Sequence, residues 1–381
     1  MGRLDHTDLS EDPPADTENL PVPRNLRDIT PVWLTKALER GGAFGEIPVS
    51  RLSADAIVEG KGFMNQVFRL TLDYESNSPS PPRTLIIKLP SADPTLRTIF
   101  DRFGQNRREV SFYRELATDE NLSAPACYYC SVDPDTENTV LLLEELSHWR
   151  QGDSVAGCSM ADARQAIAQL ARFQAAWWDS PRLDELGWMP MKCAESNAYL
   201  DIYPGAWESL RRQAADGMPQ NLRQLGDTLQ PQLAKIKTQL TRRPMTIVHG
   251  DYRLDNCFFD DAAKPKPPVA VDWEFCVRGR GVCDVATFIS EAFPAQPRRA
   301  VERDLVATYH AALVENGVDG YSFQECWRDY RLAMLEIFIF WIVTGGYCNY
   351  DGERATAYLH NSLARFDAAI SALGSVGLIP D

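Results

Sequence analysis

The sequence predicts an α+β protein in which a small, mostly antiparallel sheet is followed by a larger, mainly helical part. Segments with the alternation typical of strands, such as Gln66–Asp73, fall before residue 146. Beyond that point helical patterns dominate, as in Phe323–Thr344. A chain of 381 residues also exceeds what one small core needs, so two lobes are expected.

The predicted division places a mobile N-terminal tail at 1–27, a lobe with the sheet at 28–146 and a helical lobe at 147–381. The tail combines Asp, Glu and Pro and lacks hydrophobic periodicity, which is typical of chain that cannot bury apolar surface. In the first lobe, Thr30 is the expected N-cap of a helix that has Pro31 in its first turn.

The remaining elements of the first lobe follow from their hydrophobic patterns. A glycine-containing turn, Gly60 to Asn65, and a polar hairpin loop, Glu75–Arg83, separate the early strands. A second helix is predicted over Arg107–Leu116. The predicted strands are Leu52–Glu59, Gln66–Asp73, Thr84–Leu89, Cys127–Ser131 and Thr139–Glu145.

In the second lobe, Ser159 is the expected N-cap of a helix that continues through Ala163–Trp178. The most apolar run, Leu332–Thr344, contains Glu336 and is shorter than the roughly 18–20 residues of a membrane span. It is therefore expected to be a buried helix, and no contact with a membrane is predicted. The other predicted helices are Asn221–Leu240, Val301–Asn316, Phe323–Thr344 and Arg354–Leu373.

Composition excludes some classes of function. The net charge of −14 argues against a nucleic-acid partner, because such binding requires concentrated Lys and Arg. Nine cysteines without regular spacing, in a chain with no recognisable signal peptide, favour reduced thiols and a cytoplasmic location. Cys127 and Cys130 form a CxxC, but no second pair accompanies them, so a strand packed into the core is the preferred interpretation over a metal or redox site.

The stretch Thr246–Asp284 carries the polar groups that suggest chemistry. Asp251 and Asn256 follow a short apolar strand, and Asp272 ends another strand, Val269–Val271. Carboxylates and a carboxamide held at the ends of buried strands suit divalent metal and phosphate chemistry. Taken singly, each of these residues could equally be a turn former or a cap.

Lys88 lies among apolar neighbours in a predicted strand, where it needs a partner. Alone it could be an edge lysine that reaches water. Glu109, near the start of the following helix, can reach back to it across the sheet. A buried pair of this kind is costly unless it is used, because losing one partner leaves an uncompensated charge.

Phosphoryl transfer from a nucleotide requires groups that bind the phosphates, charges that neutralise them and a group that orients the attacking hydroxyl. Together these residues supply all three. Gly60, Gly62 and Asn65 would let the backbone approach the phosphates, although the loop alone could be an ordinary turn. Lys88, fixed by Glu109, would hold phosphates. The strand end at Glu144, Glu145 and Leu146 would offer backbone groups to adenine.

The motifs HGDYRLDN (249–256) and VDWE (271–274), with the earlier lysine and glutamate, resemble the superfamily of aminoglycoside phosphotransferases and choline kinases. The segments FYREL, EEL, GDSVAGCS and GRGVCD resemble most closely its ecdysteroid-kinase-like branch, and the likeness runs from about Ile29 to the C-terminal helices. Two departures are Gln174, where many relatives carry histidine, and Asp-Trp-Glu, where protein kinases have Asp-Phe-Gly.

The resemblance implies a bilobal protein-kinase-like fold with ATP between the lobes. It implies Asp251 as the catalytic base or hydroxyl-orienting group, Asn256 and Asp272 as Mg²⁺ ligands and Lys88 on the phosphates. It also indicates that His249 is a structural residue of the loop and that Asp284 ties this loop to the next helix. Arg253 stays open: it either pairs with a neighbouring carboxylate or meets the substrate or a phosphate.

The expected acceptor is a small molecule, because only eleven residues separate Asp272 from Asp284 and leave no room for a peptide platform. Aromatic residues of the helical lobe suit an apolar alcohol, such as a steroid-like or terpenoid-like one, or a quaternary amine, although most of them could be core. The function predicted is an ATP- and Mg²⁺-dependent kinase of a small, fairly apolar alcohol. The alternatives are a silent nucleotide-binding protein, an aminoglycoside- or choline-type phosphotransferase and a metal-dependent hydrolase.

Overall fold

A computed structural model describes residues 20–42, 47–57, 65–75, 81–94, 97–98 and 101–379. The predicted glycine turn with Gly60 and Gly62 lies outside these residues, as does most of the predicted tail. The remaining sequence predictions fall within the described part of the chain, wholly or in part.

The first lobe is built on a five-stranded antiparallel sheet, in the order β1-β2-β3-β5-β4. Lys88 lies in the central strand, where its backbone pairs with Val67 on one side and Leu141 on the other. This position buries the stem of the lysine and fixes the direction of its ammonium group. The strands are β1 (Val49–Ala56), β2 (Asn65–Tyr74), β3 (Thr84–Pro90), β4 (Cys127–Val132) and β5 (Thr139–Glu144).

The two faces of this sheet belong to different cores. Helix α1 (Pro31–Arg40), with the predicted Thr30 side chain accepting from Trp33 N, covers one face. Helix α2 (Gln105–Glu115) covers the other and contributes to the main core of the protein. A bulge in β4 puts Cys127 and Cys130 on the α2 side and both intervening tyrosines on the α1 side. The pair therefore packs in a strand, as the sequence predicts.

Helix α2 is also fastened to the helical lobe. The Arg108 guanidinium, almost completely buried, lies 2.9 Å from a carboxylate oxygen of Glu195. The ring of Phe112 stacks on Trp273 with centroids 4.1 Å apart. The helix that carries Glu109 therefore contacts the large lobe through both an ion pair and an aromatic stack.

The second lobe is mainly helical. Helix α9 (Phe323–Gly345) is its centre and packs against most of the others, and its apolar run is almost entirely buried around Glu336. None of the helices within the described ranges is long and apolar enough to cross a membrane. The other helices are α3 (Met160–Ala176), α4 (Ser196–Ala214), α5 (Gln220–Leu229), α6 (Leu233–Gln239), α7 (Val282–Ala292), α8 (Ala295–Glu315) and α10 (Glu353–Leu373).

Two helix predictions need correction. The single helix predicted over Asn221–Leu240 is divided by a 3-10 turn at Gln230–Gln232, because Pro231 cannot continue the helical hydrogen bonding. Helix α8 contains almost all of the predicted segment but begins at Ala295, six residues before Val301. Pro297 is compatible with this earlier start because it lies in the first turn, where a missing N–H breaks no helical hydrogen bond.

Short strands frame the candidate site within the second lobe. Strand β7 (Thr246–Val248) pairs with β10 (Val277–Gly279), and β6 (Arg150–Gln151), β8 (Cys257–Phe259) and β9 (Val269–Ala270) form a three-stranded sheet. The apolar strand predicted before Asp251 is β7, and the strand predicted before Asp272 is β9, which ends at Ala270 rather than at the predicted Val271. Asp251 and Asn256 lie between β7 and β8, and Asp272 follows β9.

Candidate active site

Lys88 is the electrostatic centre of the site. Its Nζ lies 2.7 Å from Glu109 Oε2, 3.0 Å from Asp272 Oδ1 and 3.0 Å from Glu274 Oε2. Burial alone would lower the pKa of Lys88, but Asp272, Glu109 and Glu274 together raise it well above the usual value. The predicted pairing of Lys88 with Glu109 is confirmed, and it extends to two further carboxylates.

Glu274 is a site residue that the sequence analysis missed. Its Oε2 also accepts a hydrogen bond of 2.5 Å from Asn65 Nδ2, so it links β2, β3 and the turn after β9. The signal was present in the VDWE motif, two positions after Asp272. Spacing alone could not place this side chain on the lysine, because the 3-10 turn Trp273–Phe275 sets its direction.

Asp272 is held in a backbone conformation that side chains rarely adopt. Its φ of 64° and ψ of 57° lie in the left-handed region, where a non-glycine residue is strained. The conformation turns the chain from β9 into the Trp273–Phe275 turn and aims the carboxylate at Lys88. Such strain is typically retained where a side chain must point into a functional site.

The loop after β7 is fixed by buried hydrogen bonds. The Asp284 carboxylate accepts from the N–H groups of His249 and Gly250, at 2.7 and 3.0 Å, and from Gln174 Nε2 at 2.9 Å. The predicted role of Asp284 as a tie to the next helix is therefore confirmed. Gln174, which stands where many relatives carry histidine, therefore contributes one of the hydrogen bonds that hold Asp284 in place.

His249 is buried, and burial lowers its pKa to about 4, so it is neutral. Its Nε2 donates to the carbonyl of Val271 at 2.9 Å, and its Nδ1 accepts from the N–H of Asp251 at 3.3 Å. Both ring nitrogens are therefore engaged with the backbone. This agrees with the structural role predicted for this histidine.

Two neighbouring side chains orient the carboxylate of Asp251. Arg253 Nε lies 3.2 Å from its Oδ2, and Asn256 Nδ2 donates to the same oxygen at 3.1 Å and to the Asp251 carbonyl at 3.0 Å. Burial raises the pKa of Asp251 to about 6, although Arg253 opposes this shift. Of the two interpretations of Arg253, the structure contains the ion pair.

The arrangement fits a Mg²⁺ ion bound together with phosphates. Asn256 directs its NH₂ group to Asp251. Among the residues that the structure describes, none is hydrogen-bonded to the side-chain oxygen of Asn256 or to the second carboxylate oxygen of Asp272, so both oxygens could take a ligand. No group of three His, Cys, Asp or Glu side chains in the described part of the chain could hold a metal ion alone. Mg²⁺ does not need one, since it commonly takes one or two carboxylates and completes its octahedron with phosphate oxygens and water.

The strand end predicted to contact adenine, Glu144 to Leu146, lies at the end of β5. The Glu144 N–H donates to Ala126 O at 2.8 Å, and the Leu146 carbonyl accepts from Trp149 N at 2.9 Å, so these two backbone groups are already engaged. The Glu145 side chain pairs with Arg69 at 3.0 Å. Any contact with a base at this edge must therefore use the other backbone groups of Glu145 and Leu146.

Gly250 should be irreplaceable in this loop. Its φ is 88°, and an added Cβ would lie 2.2 Å from the carbonyl oxygen of Phe275. We expect Gly250→Ala to lower the free energy of unfolding by at least about 1–3 kcal/mol, the usual cost of one strained backbone position, as measured by urea denaturation. Gly187→Ala, at an exposed position with open space, is the control; equal stability of the two variants would contradict this account of the loop.

Taken together, the five-stranded sheet, the helical lobe and the lysine that joins them define a kinase-like protein. The chain belongs to the ecdysteroid kinase-like family, whose model matches residues 59–318. The resemblance noted in the sequence is therefore confirmed.

Solved structures of similar fold include a microcompartment-associated aminopropanol kinase (15% identity, 90% of this chain and 98% of the other, TM-score 0.45). A choline kinase from Cryptosporidium parvum Iowa II has 11% identity, with 87% and 92% coverage and a TM-score of 0.48. A GDP complex of an aminoglycoside 2′-phosphotransferase has 13% identity, with 91% and 99% coverage and a TM-score of 0.49. These similarities do not identify a substrate for this chain. No curated protein sequence matches the chain.

Proposed function

We propose that the protein transfers the γ-phosphoryl group of ATP, with Mg²⁺, to a hydroxyl group of a small molecule. The observation that carries this proposal is the convergence of Lys88 from strand β3, Asp251 and Asn256 from the loop after β7, and Asp272 from the end of β9. Lys88 Nζ lies 3.0 Å from Asp272, and the charge of Asp272 acts on Asp251. A metal-dependent hydrolase would need the carboxylates but would leave the buried Lys88–Glu109 pair unexplained.

Each residue has a role in this proposal that its surroundings support. Lys88 binds phosphate oxygens, and Glu109 keeps its ammonium group in place. Asn256 and Asp272 would hold Mg²⁺, which supplies neutralisation of phosphate charge. Asp251, held by Asn256 and Arg253, orients the acceptor hydroxyl and accepts its proton. Glu145 and Leu146 are proposed to meet the base through their backbone groups.

The short link after Asp272 favours a small acceptor. The turn Trp273–Phe275, strand β10 and the start of α7 at Val282 take up most of this link. Its extended residues, those of β10, are paired with β7, so the link contains no long segment on which a peptide could lie.

The first test is transfer of radiolabelled phosphate from ATP to pooled hydroxylated metabolites and aminoglycosides. A labelled small-molecule product that requires both the nucleotide and Mg²⁺ is expected. A thermal-shift measurement with Mg-ATP accompanies the screen. Nucleotide-independent turnover with no shift would favour the hydrolase and contradict the proposal.

The pH dependence of transfer should report Asp251. Because the base must be unprotonated, kcat/KM should fall as the pH drops through about 6. Arg253 lowers the pKa of Asp251, so Arg253→Met should move this acid limb to higher pH, whereas Arg253→Lys should move it less. A pH–rate profile of the three proteins measures this, and an acid limb unchanged in Arg253→Met would exclude Asp251 as its origin.

A further inference from the structure

The two cysteines of β4 have no part in the proposed function, yet the fold places their side chains together. Side chains alternate between the two faces of a regular strand, so residues three positions apart, such as Cys127 and Cys130, normally point in opposite directions. A bulge after Cys127 breaks this alternation. As a result Cys127 lies opposite Leu143 and Cys130 lies opposite Leu141, two residues of β5 that share a face. Both thiols therefore face α2.

The bulge also brings the two thiols close enough to react with each other. The β5 residues opposite them are two positions apart, a spacing of about 6–7 Å in extended chain. A disulfide usually joins Cα atoms that are about 4.4–6.8 Å apart. The two thiols are hydrogen-bonded to each other, and neither is in a disulfide. The pair is therefore a dithiol within reach of an S–S bond.

Cys130 is the more reactive of the two thiols. Its Sγ lies 3.9 Å from the carbonyl oxygen of Val110 in α2. The guanidinium of Arg114, in the last turn of the same helix, is also hydrogen-bonded to it. The hydrogen bond from Cys127, together with Arg114, lowers the pKa of Cys130 to about 7, although burial opposes the shift. Because the thiolate is the reactive form of cysteine, Cys130 is the expected nucleophile at neutral pH.

Cys127 has the complementary property. The same hydrogen bond raises the pKa of its thiol, and burial adds to the shift, so Cys127 keeps its proton. A low-pKa thiolate beside a second thiol is typical of cysteines that respond to oxidants, because the first sulfur attacks and the second closes the disulfide. Cys158 provides the contrast within this chain. It is also half-buried, but burial raises the pKa of its thiol to about 12.

The position of the pair in the sheet suits this chemistry. Both cysteines are only half-buried, and the side chain of Arg114 beside them is exposed, so a small oxidant can approach from solvent. Strand β4 is an edge strand of the five-stranded sheet and is paired with β5. Its backbone can therefore adjust to a new bond without disturbing the central strands.

A metal ion does not explain the pair equally well. Zinc in structural sites has four ligands, and the described residues contain no group of three His, Cys, Asp or Glu side chains that could hold a metal ion. Redox chemistry needs only the two sulfur atoms. The packing in a strand that the sequence predicts is retained, and the bulge adds a property that the sequence does not reveal.

We propose that Cys127 and Cys130 form a redox-sensitive dithiol, which a hydroperoxide oxidises to a disulfide. With hydrogen peroxide, the Cys130 thiolate attacks one oxygen, the O–O bond breaks, hydroxide leaves and Cys130 becomes a sulfenic acid. The Cys127 sulfur then forms the S–S bond, and the sulfenic hydroxyl leaves as water with the Cys127 proton. The two thiols lose two electrons, which the peroxide takes up. An added dithiol reverses the oxidation by thiol–disulfide exchange.

The test needs no phosphate acceptor, because one tryptic peptide, Glu115–Arg150, contains both cysteines and no other. The reduced full-length protein is treated with a small molar excess of hydrogen peroxide and alkylated in denaturant, and its tryptic peptides are analysed by mass spectrometry. We expect Glu115–Arg150 to have lost two hydrogen atoms and to carry no alkyl group, and dithiothreitol to restore both alkylation sites. The peptide with Cys158 should stay alkylated. A Glu115–Arg150 peptide that remains doubly alkylated at doses that oxidise Cys158 would overturn the proposal.

Substitutions separate the roles of the two sulfurs. Cys127→Ser should stop the reaction at the sulfenic acid of Cys130, which dimedone traps. Cys130→Ser should leave Cys127 available for alkylation at the same dose of peroxide. Oxidation of Cys127 in Cys130→Ser as fast as in the wild type would show that Cys130 is not the nucleophile. The peptide map of the wild type decides whether the disulfide forms even where one of these variants fails to fold.

A further variant tests the part of Arg114. Arg114→Met should slow the alkylation of Cys130 by iodoacetamide in the native protein at neutral pH, because the thiolate loses its cation, and Arg114→Lys should restore part of the rate. Arg107→Met is the matched control, since Arg107 lies in the same helix but pairs with Glu137 at 2.6 Å in an exposed position. Equal rates in Arg114→Met and Arg107→Met would refute the role of Arg114 in activating the thiol.

Discussion

Replacing Asp251 with asparagine should abolish phosphoryl transfer while Mg-ATP still binds. The variant keeps a side chain of the same shape beside Asn256 and Arg253 but cannot accept the acceptor proton. A loss of kcat by about 10²–10⁴ is expected, the usual contribution of a positioned general base. Steady-state kinetics measure the loss, and a thermal shift with Mg-ATP measures the retained binding.

The control for this variant is Asp260→Asn. Asp260 is a carboxylate on the exposed loop after β8, where it accepts from the N–H groups of Ala262 and Lys266. Its replacement should leave kcat within experimental error of the wild type. Full turnover by the Asp251→Asn variant would remove Asp251 from the mechanism, and loss of its response to Mg-ATP would instead indicate a folding defect.

Replacing Lys88 with methionine should cost both stability and nucleotide binding. The change leaves Glu109 and Glu274 buried, and Asp272 beside them, without their shared cation. Removing one partner of a buried ion pair typically costs about 3–5 kcal/mol, so a clear fall in the free energy of unfolding is expected by urea denaturation. Binding of Mg-ATP should be lost because the ammonium group proposed to bind the phosphates is removed.

A second substitution separates the two effects. Lys88→Met combined with Glu109→Gln removes one of the uncompensated charges and should recover part of the stability, but not the transfer. Arg164→Met is the matched control, because Arg164 also pairs with a carboxylate, that of Asp304, but both side chains are more than half exposed. Such a surface pair contributes at most about 1 kcal/mol. A Lys88→Met protein as stable as Arg164→Met would refute the electrostatic role assigned to the lysine.

The sequence predicted the residues whose positions depend on local spacing. Asp251, Asn256 and Asp272 sit at the ends of short strands, so their mutual placement follows from a few residues of chain. Lys88 and Glu109 could be paired because an isolated lysine in an apolar strand needs a partner. The family motifs added the order in which Lys88, Glu109, Asp251, Asn256 and Asp272 occur along the chain.

The site residues that the sequence analysis missed are placed by the tertiary fold and not by local spacing. Glu274 reaches Lys88 only because Asp272 adopts a left-handed backbone conformation, which sequence spacing does not reveal. Gln174 donates to Asp284 although the two residues lie 110 positions apart in the chain, on different helices. The aromatic residues could not be divided between core and pocket, because hydrophobic periodicity marks a buried face without saying what buries it.

The attachment of α2 to the helical lobe has a consequence for how the protein opens. By sequence α2 belongs to the first lobe, yet Arg108 pairs with Glu195 and Phe112 stacks on Trp273. Cooperative units follow packing rather than chain order. The amide hydrogens of α2 should therefore exchange with solvent at rates similar to those of the large lobe. The amide hydrogens of the outer strand β1 should exchange faster, so that Glu109 stays in place while the edge of the sheet opens.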